Sequence, residues 1–186
     1  MSLQKLIDSL DQMKHSPVRN YVTPGLTSSL VGGDFSGTVR LFSSDRDTRE
    51  FITPHSHRFN FSCLVLSGSV ENILYVPHYQ ISEEGPGNLF AEGILRPKGE
   101  GMGQYEVVHG TEPKWYREEV SHYHAGDVYG MTYSEIHSIR FSRGAKVLFF
   151  EEPPSGEDSV FLEPYSDGRV VQTFAVQPWM FDRGKK

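Results

Sequence analysis

The sequence predicts an all-β fold, a sandwich or barrel of short strands preceded by one short helix. Three observations carry this expectation. Only the first residues show a helical repeat of apolar positions; everything downstream breaks into short apolar runs separated by Gly, Pro, Ser and Asp; and no helices alternate with those runs. The 186 residues, 37% apolar and 12% aromatic, suit one globular domain spanning 1–186 with a core of its own.

Taken in order, Ser2 is placed to cap a helix over about 2–14, with Leu3, Leu6, Ile7, Leu10 and Met13 on one face. Pro17, Pro24 and a turn at Gly32-Gly33-Asp34 end helical periodicity. Strands are then expected at 38–42, 61–66, 70–76, 105–109, 115–124, 134–141, 146–150, 160–164 and 169–176. Ser67-Gly68-Ser69, Ser142-Arg143-Gly144 and Ser166-Asp167-Gly168 read as hairpin turns between them. The stretch 83–104, with Glu83-Glu-Gly-Pro-Gly87 and Lys98-Gly-Glu-Gly-Met-Gly103, reads as one long glycine-rich connection, a binding loop or a disordered one.

Composition narrows the function. A net charge of -6 and a pI near 5.7 argue against a phosphate-backbone partner, so no nucleic acid is expected. Apolar runs such as Cys63-Leu-Val-Leu66 fall far short of the roughly 20 residues that a membrane span needs, and Lys5, Asp8 and Asp11 interrupt any signal-like segment. A cytoplasmic protein without membrane attachment is the expectation. The single cysteine, Cys63, sits in an apolar run, which points to a reduced or buried thiol rather than a nucleophile.

The chemistry lies among the eight histidines. In an extended segment His55 and His57 project from the same side, so two imidazoles converge on one point, an arrangement suited to a divalent metal. The segment from Pro54-His55-Ser-His57 to Leu66-Ser-Gly68 resembles the first motif of the cupins, in which a glycine follows the second histidine by about eleven residues. Gly126-Asp127 followed by His137 resembles the second motif in spacing, with Thr132 and Ser134 where the family usually has proline and glycine. The two motifs and their strands cover about residues 50–155.

This resemblance implies a cupin jelly-roll barrel with a metal at its mouth, and by residue-wise carry-over His55, His57 and His137 are its ligands. The glutamate that usually follows the second histidine by four or five residues falls on Phe61 or Ser62, so the implied ligand set is all imidazole. That set resembles the three-histidine thiol (cysteine) dioxygenases, which use Fe(II) and O2, and Phe149-Phe-Glu-Glu-Pro-Pro154 is similar to their strand ending in Pro-Pro. The histidine and tyrosine of that strand are replaced here by Phe149 and Glu151.

The implied activity is a metal-dependent dioxygenase with a small-molecule substrate and O2. Two alternatives stay open: a non-oxidative cupin enzyme (isomerase, lyase or hydrolase) using Zn, Ni or Mn as a Lewis acid, and a non-catalytic small-ligand-binding cupin. The resemblance also allows a homodimer.

Glu135, two residues from His137, is either a partner of its imidazole or a base, or else a solvated carboxylate at a strand start. Arg58 and Asn60 follow His57 and could orient an anionic substrate, while Phe61, Tyr133 and Phe149 are candidates to line its pocket or simply core aromatics. A second pair, His122 and His124, precedes Gly126-Asp127 and is expected to face outward.

Overall fold

The computed structural model describes residues 2–21, 23–34, 36–49, 53–78, 88–98, 105–166 and 168–171. Helix α1 (Leu3–Met13) leads into β1 (His15–Arg19), β2 (Leu26–Asp34), β3 (Gly37–Ser44), β4 (Thr48–Arg49), β5 (Phe59–Ser67), β6 (Ser69–His78) and β7 (Asn88–Pro97). Then follow β8 (Tyr105–Val108), β9 (Pro113–His124), β10 (Val128–Met131), β11 (Ile136–Phe141), β12 (Lys146–Pro154), β13 (Ser159–Ser166) and β14 (Arg169–Val170).

These strands form two antiparallel sheets, ordered β1-β2-β3-β12-β5-β10 and β14-β13-β7-β9-β6-β11-β4, with β8 beside β7. The connections β3–β4, β5–β6, β9–β10 and β11–β12 each carry the chain from one sheet to the other. That path winds β3-β12-β5-β10 against β4-β11-β6-β9, a jelly-roll barrel, with one short N-terminal helix outside it.

Alternation along the strands builds the core. On β5, Phe59, Phe61, Cys63 and Val65 are all buried, and they meet Val70 of β6, Phe141 of β11 and Val147 and Phe149 of β12 between the sheets. Cys63, 2% exposed and directly across from Tyr129, is a buried thiol; burial pushes its pKa up to about 12, a hydrogen bond with Tyr129 offsetting part of the rise. Outside the six-stranded sheet, α1 lays Ile7 and Leu10 on Leu41, Leu66 and Leu148, while Leu3 and Met13 stay exposed. Ser2 caps this helix through its hydroxyl, which accepts from the Lys5 amide at 3.4 Å.

Several expectations need correction. The turns at Gly68 and Gly144 are not hairpins: each passes the chain between sheets, and of the three expected hairpins the one at Gly168 joins paired strands. Both uses require the same left-handed glycine, at φ +68 and +77, so their sequences look alike. Gly68 also sits where a Cβ would lie 2.7 Å from the Ala145 Cα. The corners at Gly68, Gly126 and Gly144 share one end of the barrel, where the Ser142 amide bonds the Ser69 carbonyl at 3.0 Å and the Gly126 amide bonds that of Val65 at 2.8 Å.

The connection expected over 83–104 contains β7, which pairs with β8, β9 and β13. Its glycine-rich flanks hid the short apolar runs Leu89-Phe-Ala91 and Ile94-Leu95. Residues 79–87 and 99–104 of that region lie outside the described residues. Gly32-Gly33-Asp34 is the end of β2, with an irregular register between Leu30 and Gly32, rather than a turn. β10 fell between expected strands, and of the strand expected over 169–176 only Arg169–Val170 is seen, residues 172–176 lying outside the described residues. Among the described residues no helix is long and apolar enough to cross a membrane.

Candidate metal centre

At the end of the barrel opposite the glycine corners, the segment before β5 runs antiparallel to the start of β11. The His55 amide donates to the His137 carbonyl and the His137 amide to the His55 carbonyl, each at 3.0 Å. This two-bond pair puts both side chains on one face, and His57, two residues on, shares it. The three imidazoles meet with ring centroids 5.0 Å (His55–His57), 5.2 Å (His57–His137) and 5.9 Å (His55–His137) apart.

Their nitrogens are not equivalent. His137 is 3% exposed, and its Nδ1 lies 2.6 Å from the Asn72 Oδ1 of β6. The His55 Nδ1 lies 3.1 Å from the Thr53 carbonyl. Both partners accept, so both Nδ1 atoms carry hydrogen and the Nε2 atoms of these neutral rings keep their lone pairs. Burial, and then the nearby His55, push His137 down to about 3; burial also pushes His55 down, the Thr53 carbonyl opposing it. At neutral pH both are uncharged, the form that binds metal.

The Nε2 atoms of His57 and His137 stand 2.9 Å apart. That is the spacing of a hydrogen bond between the two rings, and it brings both nitrogens close enough to serve one ion. His55 does not close the set as the rings stand: among the described residues no group of three or more His, Cys, Asp or Glu side chains is arranged to hold a metal.

Aromatic rings wall the histidines. Phe61 places its ring 5.1 Å from that of His57, 5.6 Å from His137 and 4.8 Å from Phe149, while Phe59 lies 5.2 Å from His57. Phe61 and Phe149 are 3% and 8% exposed and belong to the main core.

The other candidates are placed differently. Glu135 lies before β11, in a turn; its carboxylate accepts from the Thr132 amide at 2.6 Å and hydroxyl at 2.9 Å, closing that turn. Strand alternation was the wrong guide there, because the strand starts one residue later. Asn60 uses both ends of its amide, donating to Glu152 at 3.0 Å and accepting from the Tyr133 amide at 2.9 Å, which ties three segments of the rim. Tyr133 is exposed and leans over Gly156.

The Arg58 carbonyl accepts from the Ser155 and Gly156 amides, and its Nε is buried with no partner among the described residues. His122 is 63% exposed beside Glu71 and His124 is exposed, as expected for an outward pair. Asn72 and Thr53 were missed; the available signal was a polar residue at an inward position between Val70 and Leu74.

Fold and residues together describe a two-sheet jelly-roll barrel with a histidine cluster at one end. No protein-family model matches the chain, and no curated protein sequence matches it. Among solved structures it is similar to KdgF from Halomonas sp. (15% identity, 75% of this chain, 89% of that chain, TM-score 0.43). It is also similar to an acetylacetone dioxygenase from Acinetobacter johnsonii (12%, 87% and 78%, TM-score 0.43). A third is an RmlC-like cupin from Shewanella frigidimarina (10%, 77% and 96%, TM-score 0.38). At such identities and scores these similarities do not bear on activity.

Proposed function

We propose that the chain is a metal-dependent dioxygenase acting on a small molecule, with Fe(II) held by His57, His137 and, once its ring turns toward them, His55. The observation that supports this most is the 2.9 Å approach of the His57 and His137 Nε2 atoms, with the His137 lone pair directed into it by Asn72. Iron, when bound, supplies the redox chemistry between O2 and substrate.

The residues divide the remaining tasks. Three neutral imidazoles, with Phe61 where a carboxylate would otherwise stand, leave the positive charge of the ion for an anionic substrate group such as a thiolate or carboxylate. Phe59, Phe61 and Phe149 keep water from the inner side of the histidines. Arg58, next to His57 and with a buried Nε to offer, is suited to anchor a second acidic group.

The test is metal analysis of the purified protein followed by oxygen-electrode assays with small thiols. Stoichiometric iron, and O2 uptake that is lost together with the iron in His137→Ala, are expected. Turnover that needs no O2, with zinc, nickel or manganese bound, would replace this reading with a Lewis-acid enzyme; metal-free protein that binds small ligands would replace it with a binding module.

A further inference from the structure

We infer that Asn72 is a positioning residue for this centre: it dictates which nitrogen of His137 faces the metal, and so how tightly a divalent ion is held. The inference rests on the reading of His137 as a ligand.

Asn72 is 6% exposed and faces inward on β6, where Leu74 lies opposite His137 and Ile139 opposite Asn72 in the ladder. A carboxamide can present either end to a neighbour. With its oxygen toward His137, the ring must carry hydrogen on Nδ1 and leave Nε2 bare; with its NH2 group there, the ring would accept at Nδ1 and carry hydrogen on Nε2, which would block coordination. The choice is made on the far side of the amide. Asn72 Nδ2 lies 3.6 Å from the Met131 Sδ, and a thioether sulfur accepts but never donates. Met131, 6% exposed on β10 of the other sheet, thus favours the NH2 group on its own side and the oxygen toward His137.

The chain of bonds runs on to His57. Because the His137 Nε2 is bare, the His57 Nε2 facing it at 2.9 Å carries the hydrogen in the metal-free protein. Metal uptake then requires His57 alone of this pair to give up its Nε2 hydrogen and become protonated at Nδ1, while His137 needs no change. An amide, unlike a carboxylate, fixes the ring without adding charge, so the donor strength of His137 stays that of a neutral imidazole.

The experiment uses chelator-treated full-length protein, wild type and the variants Asn72→Leu, Asn72→Asp and Met131→Leu. Imidazole 15N shifts are recorded, and Zn2+ affinity is measured by competition with a chelator. In wild type, His137 is expected to show a protonated Nδ1 and a bare Nε2. Asn72→Leu loses that preference and binds Zn2+ about 10- to 100-fold more weakly. Asn72→Asp keeps the ring form, and Met131→Leu, which preserves core volume, mixes the two ring forms and takes the place of Asn72→Leu should that variant not fold.

An Asn72→Leu or Met131→Leu protein whose His137 keeps its Nδ1 hydrogen as in wild type overturns the assignment. So does Asn72→Leu affinity within twofold of wild type. Wild-type protein that shows the expected ring form yet binds no Zn2+ or Fe2+ sinks the metal reading and leaves the positioning role standing.

Discussion

Acidification from pH 7 to pH 5 should destabilise the metal-free protein through His137. Folded, this imidazole has a pKa of about 3; in the unfolded chain it returns to about 6.5. Between those values the unfolded chain binds a proton that the folded one refuses, so falling pH favours unfolding. Above about 6.5 neither state is protonated and the contribution vanishes. At pH 5 the proton uptake of the unfolded state is worth about 2 kcal/mol, against about 0.2 kcal/mol at pH 7.

The assay is urea denaturation of chelator-treated wild type and His137→Gln at both pH values. Comparing the two proteins cancels the titrations of groups remote from His137. Wild type should lose about 2 kcal/mol more than the variant between pH 7 and pH 5. Equal losses, within about 0.5 kcal/mol, would refute the claim that the ring is held neutral by burial beside His55.

Three further outcomes follow from the packing. Gly68→Ala forces a left-handed backbone and a Cβ 2.7 Å from the Ala145 Cα; a cost of at least roughly 1–2 kcal/mol should appear as a Tm lower by several degrees in a thermal melt. Phe61→Ala empties the space between His57, His137 and Phe149 and should cost about 3–5 kcal/mol by denaturant titration. Cys63 should resist a thiol reagent at pH 8 in folded protein and react at once in urea, because burial holds it protonated with a pKa of about 12.

What was legible in the sequence was whatever depends on neighbours in the chain. His55 and His57 share a face because extended backbone alternates, and α1 declares itself through its apolar spacing and Ser2. What escaped depends on residues far apart. Asn72 is one polar residue in an apolar strand until β11 brings His137 beside it. The corners at Gly68 and Gly144 carry the signals of hairpins, since local turn chemistry does not record which sheet the next strand joins.

Those corners bear on how such a molecule can change. Gly68, Gly126 and Gly144, all left-handed, stand at the end of the barrel away from the histidines. The demands that make the chain cross between sheets are met there, while the rim around His57 is shaped by side-chain ties such as those of Asn60 and Glu135. Rim residues can be exchanged one at a time to admit a different substrate while the crossings, and with them the register that sets His55 against His137, stay in place. Innovation at the mouth is insulated from the wiring at the base.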